Sequence, residues 1–199
     1  MTNTATASKQ LREKILDDAS YNKERKQRRK DIIDLKRHRR IAVGPYAVFH
    51  FENFETMLYQ IQEMLWIEKG GDEQLEDEIS AYAPLVPNGS ELVATMMLEI
   101  DSKTLREAVL LQLGDIELNT AIEIAGEKSI AQPEQEIERT TEEGKTSSVH
   151  FLHFPLTPKQ IDAMRDSASE VHIVIEHPHY NYRIVLSAEQ RQALAADLA

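Results

Sequence analysis

The chain has 199 residues, no cysteine and a formal charge of −11, from 23 Lys and Arg against 34 Asp and Glu. Length and a hydrophobic content of 41% allow one globular domain, or one domain with an appendage. The lack of cysteine excludes disulfides, thiolate zinc sites, cysteine nucleophiles and directly ligated iron–sulfur clusters. No run approaches the ~18 apolar residues of a membrane span, and the opening MTNTATASKQLREK lacks the apolar stretch of a secretory signal. A soluble cytoplasmic protein is expected.

Residues 1–19 are small and polar at their start and are expected to be disordered or weakly ordered. Residues 20–40 read as one basic helix, uninterrupted by Gly or Pro, that Gly44-Pro45 closes. Tyr21, Arg25, Arg28, Ile32 and Leu35 recur at spacings of three and four and share a face. Between Lys23 and Arg40 ten basic residues meet only Glu24, Asp31 and Asp34, whereas Ile41 onward holds 10 basic against 28 acidic residues. A basic arm on an acidic body is the main asymmetry of the chain. Its plain reading is a solvated helix packed on the acidic body. Its functional reading is a docking surface for an acidic protein partner through Arg28, Arg29, Arg37 and Arg39. Nucleic acid is disfavoured, because the body would repel a phosphate backbone and no aromatics interleave the cations to stack bases.

Residues 41–199 read as a single α+β domain, a mostly antiparallel sheet with packed helices. Tyr46–Phe51 is a strand; Asn53 caps a helix from Phe54 to Glu68, and an acidic helix follows from about Asp72 to Tyr82. In the first helix the apolar arc is wide and leaves a narrow polar stripe of Thr56, Gln60 and Glu63. Leu92, Ala94, Met96, Leu98 and Ile100 alternate along a strand, and a helix from Asp101 or Ser102 runs to Gly114. Residues 116–124 alternate as a further strand, which Gly126 turns into a hairpin with Lys128–Ala131; 132–144 is an acidic loop. Thr146–Phe154 is a central strand. Thr157-Pro158 starts a helix, Val171–Ile175 and Tyr182–Leu186 are joined by the turn Glu176–Asn181, and Ser187 caps a last helix.

The stretches Leu35–Gly71, Ala81–Ile100 and Glu138–Phe154, with His177-Pro178-His179-Tyr180 standing for a His-Pro-x-Tyr, resemble the bacterial domain-of-unknown-function family 3501 over nearly the whole chain after about Tyr21. That family has no assigned activity. The resemblance implies a redox-linked accessory role beside rubrerythrin-like or iron–sulfur oxidoreductase systems.

No GxGxxG, GxxxxGK[ST], GxSxG or HExxH occurs. What remains for chemistry is histidine and carboxylate. His150 and His153 lie three apart on a strand and point to opposite faces, so they do not chelate together. His177 and His179 flank Pro178 in a turn. A candidate site places the Thr56–Gln60–Glu63 stripe beside His150 or His177. Glu63, His150 and His177 would then be the N/O ligands of a zinc, iron(II) or manganese ion in a small metal-dependent enzyme. The oligomeric state and the cofactor, if one exists, stay open.

Overall fold

The structure, a computed structural model, describes residues 2–134 and 145–199, so most of the expected acidic loop lies outside the described residues. The chain divides into two compact units. Unit 1 comprises residues 1–37 and 52–88; unit 2 comprises 38–51 and 89–199. The expected domain over 41–199 contributes residues 52–88 to unit 1 and the rest to unit 2.

Unit 1 is four helices: α1 (Thr2–Lys14), α2 (Asp18–Lys36), α3 (Phe54–Glu68) and α4 (Gly71–Tyr82), followed by a 3-10 turn at Ala83–Leu85. The N-terminal segment expected to be disordered contains α1. Ala7 and Leu11, four apart on one face, are buried, and that contact supplies the ordering free energy that composition alone did not suggest. Asp17 caps α2 by accepting from the Ser20 N–H. Asn53 and Thr56 form a reciprocal capping box on α3, and Lys69 closes that helix in the left-handed region. Tyr21 and Ile32 are the buried residues of α2, as their shared face predicted.

The basic helix stops at Lys36 rather than Arg40, because the chain turns into a strand to pair with its neighbour. In unit 2, β1 (Arg40–Val43) pairs antiparallel with β2 (Ala47–Glu52), Ile41 opposite Phe49. β3 (Glu91–Leu98) pairs antiparallel with β7 (Val149–Pro155), which also holds the short β6 (Gln132–Pro133). These strands order as β1-β2-β3-β7-β6. The second sheet orders as β5-β4-β8-β9, from β4 (Thr120–Ile124), β5 (Glu127–Ile130), β8 (Val171–His177) and β9 (Tyr180–Val185), all antiparallel. Residues 116–119, expected to begin β4, form a 3-10 turn instead, and Leu118 is exposed there. Three helices complete the unit: α5 (Lys103–Gln112), α6 (Pro158–Arg165) and α7 (Ala188–Ala195), with side-chain caps from Ser102, Thr157 and Ser187. The core takes Phe49, Phe51, Met96 and Phe154 from the first sheet and Ile122, Ile173 and Ile175 from the second. The fold is α+β.

Candidate functional site

The five residues of the expected site fall into two groups. Thr56, Gln60 and Glu63 belong to unit 1, and His150 and His177 to unit 2. Each has structural partners of its own. The Thr56 hydroxyl donates to Glu52 at 2.7 Å and, within the capping box, accepts from the Asn53 N–H. Gln60 is hydrogen-bonded to Tyr82. Glu63 accepts two hydrogen bonds from the Arg25 guanidinium, both at 2.8 Å, and one from the Tyr21 hydroxyl at 2.5 Å. The Arg25 guanidinium also lies 3.9 Å from the centroid of the Trp66 ring, a cation–π contact. The paired guanidinium holds the Glu63 carboxyl below the usual carboxylate range, and burial with the Glu63 hydrogen bond pushes the Tyr21 phenol up. Glu63 is thus the bolt between α2 and α3. The polar stripe on α3 was visible in sequence; its partners on α2 were signalled only by the common face of Tyr21 and Arg25.

In unit 2, the His150 ring is fully buried. Its Nε2 sits 2.9 Å from the Ser147 carbonyl oxygen, which can only accept, so Nε2 carries the hydrogen. Nδ1 faces the Glu117 carboxylate at 3.4 Å. His177 donates from Nε2 to the Gly114 carbonyl at 3.0 Å, and its Nδ1 accepts from the His179 N–H at 3.2 Å. His177 therefore closes the two-residue turn Pro178-His179. Among the described residues no group of three or more His, Asp or Glu is placed to hold a metal ion.

The His-Pro-His-Tyr segment does its work through its last residue, which the sequence did not single out. The Tyr180 hydroxyl donates to the Val43 carbonyl at 2.7 Å and accepts from the Tyr46 and Ala47 N–H groups, both at 2.9 Å. One buried phenol thus satisfies three backbone groups around the β1–β2 turn. Burial raises its pKa. Gly44 in that turn has φ +71°, and a Cβ there would come within 2.7 Å of the Tyr180 hydroxyl and the Tyr182 ring. Both backbone geometry and space call for glycine.

His153 is held by two carboxylates, with Nδ1 3.0 Å from Glu91 and Nε2 3.1 Å from Glu134. An imidazolium donates from both ring nitrogens, one to each carboxylate. Burial opposes that charge, but the hydrogen bond and charge of Glu91, joined by Glu134, outweigh it and hold the pKa above the ordinary histidine value.

The four arginines expected to form the docking surface separate. Arg39 is buried, 3% exposed, donating to both Asp197 oxygens at 2.6 and 2.8 Å and to the Ala193 carbonyl; it belongs to the interior of unit 2, which corrects its expected role. Arg28 donates to Glu24, and Arg37 to Asp34. Arg28 also lines a groove of about 480 Å³ with Tyr21, Ile32, Leu35, Leu58 and Tyr59. Arg29 is exposed and has no ion-pair partner among the described residues, and the same holds for Lys23, Lys26 and Lys30.

Fold and geometry define a two-unit α+β protein in which His150, His153, His177 and Glu63 each have partners of their own. Residues 10–198 match the family model described as a protein of unknown function, DUF3501, and the chain belongs to that family. It is similar to a novel protein of unknown function from Burkholderia pseudomallei K96243, solved by crystallography. The two are 34% identical with a TM-score of 0.86, over 94% of this chain and 98% of that one. A comparison with curated proteins found no match. No helix among the described residues is long and apolar enough to cross a membrane.

Proposed function

We propose that this chain is a non-enzymatic binding protein of the cytoplasm that docks an acidic protein surface through the outer face of α2. The observation that carries the reading is the division of labour on that helix. Tyr21, Arg25 and Ile32 fasten it to its own unit, while Lys23, Lys26, Arg29 and Lys30 are exposed and without ion-pair partners among the described residues. Lys26 and Lys30 are i,i+4 neighbours and Lys23 and Lys26 are i,i+3, spacings at which like charges destabilise a helix by about 0.2–0.5 kcal/mol each. Folding gains nothing from that clustering; an anionic partner does. A redox-linked accessory role, with a rubrerythrin-like or iron–sulfur oxidoreductase partner, is the form of this reading that the family resemblance suggests.

The metal-enzyme reading has less support, since Glu63 is neutralised by Arg25 and each histidine has its own partners. The test is a titration of labelled full chain with poly-glutamate, in parallel with duplex DNA. Wild type is expected to bind poly-glutamate at low salt, and K23A/K26A/R29A/K30A is expected to lose that binding. Equal binding by the variant contradicts the reading; retention of DNA alone moves it to nucleic acid.

A further inference from the structure

The partner that the α2 face fits is written in unit 1 itself. α2 and α4 each pack against α3. Helix α4 carries Asp72, Glu73 and Asp77, all exposed and without ion-pair partners among the described residues. Glu76, by contrast, is taken up by Arg12 of α1. Glu73 and Asp77 are i,i+4, so α4 repeats with acids the uncompensated like-charge spacing that Lys26 and Lys30 make with cations.

Two isoleucines of unit 1 are exposed. Ile33, 58% exposed, lies one turn beyond Arg29 and Lys30; Ile67, 61% exposed, sits at the end of α3, just before α4. A cationic and an acidic helix face thus lie on the same unit.

We propose that unit 1 carries a self-complementary docking surface, in which the cationic α2 face of one copy of this chain seats on the acidic α4 face of a second copy. This rests on the docking role given to α2 above and names its partner. In a two-fold dimer the α2-on-α4 contact occurs twice and both faces are consumed. It relieves the like-charge repulsion of both helices at once. A phosphate backbone would neutralise α2 but leave Ile33 and the α4 acids uncompensated.

Molar mass of the full chain by light scattering, across a concentration series at low and high salt, tests it. Wild type is expected at the dimer mass at low salt and to shift toward monomer as salt screens the rims. K26E/K30E and E73K/D77K are each expected to weaken the dimer at least about tenfold, since each removes and reverses several rim pairs. The variant combining all four reversals restores opposite signs across the interface and is expected to recover the dimer. Circular dichroism checks that helix content is retained in every variant. A wild type that stays monomeric, a dimer indifferent to either pair of reversals, or a folded fourfold variant that fails to recover overturns the proposal. Should wild type stay monomeric yet still bind poly-glutamate through α2, the docking role survives and only the self-partner falls.

Discussion

The two units solve the same problem with different materials. Unit 1 fastens helices with polar bolts: Arg25 and Tyr21 on Glu63, Arg12 on Glu76, Lys69 on Asp18, and Gln62 exchanging hydrogen bonds with the Leu16 backbone. Unit 2 buries a broad apolar core from two sheets and sets Tyr180, His150 and His177 on backbone carbonyls. In unit 2 Tyr180, His150 and His177 each meet a backbone carbonyl, whereas Lys23, Lys26 and Lys30 on α2 are exposed with no ion-pair partner among the described residues.

The sharpest way to break this contrast is at Tyr180. Tyr180→Phe keeps the ring but strands the Val43 carbonyl and the Tyr46 and Ala47 N–H groups. Chemical denaturation is expected to show a loss of about 2–4 kcal/mol, the cost of several buried groups left unpaired. A loss below about 0.5 kcal/mol, the size of an ordinary surface change, would show that water replaces the phenol and that the clamp is dispensable.

The corresponding bolt in unit 1 is nearer to solvent and is expected to matter less. Glu63→Gln removes the carboxylate that Arg25 and Tyr21 share, and about 1–2 kcal/mol is expected by the same measurement. Arg25→Ala should then cost less in the Glu63→Gln background than in wild type, the remainder being its contact with the Trp66 ring.

The third effect is a matter of pH. The folded pKa of His153 is raised, so its ion pairs stabilise fully below the ordinary histidine value near 6.5 and fade as pH rises through the folded value. The stability difference between wild type and His153→Gln should therefore shrink from mildly acidic to alkaline pH. A difference that grows with pH would mean the ring is neutral in the fold.

How much of this was readable beforehand follows the same division. Local rules found the caps at Asn53, Thr157 and Ser187, narrowed that of α5 to Asp101 or Ser102, and found the alternation of β3 and the β8–β9 turn, because each depends on neighbours a few residues away. β1 was missed because Arg39 and Arg40 continue a basic run. What places Arg39 inside is Asp197, 158 positions along the chain. Tyr180 was passed over for a like reason, since its partners lie 133–137 residues earlier and only the Gly44-Pro45 turn marked the spot. The stripe of Thr56, Gln60 and Glu63 was correctly seen as polar on an apolar helix. Its use as a fastening rather than a metal ligand depended on Arg25, which no spacing within α3 reveals.

The smallest expected effect on stability belongs to the surface with the largest expected effect on binding. The most direct measurement therefore takes K23A/K26A/R29A/K30A and wild type through both chemical denaturation and the poly-glutamate titration. If α2 is a docking face, the variant unfolds within about 0.5 kcal/mol of wild type, as surface substitutions do, while binding is lost. Binding that survives the four substitutions, or a fold that fails with them, would contradict it.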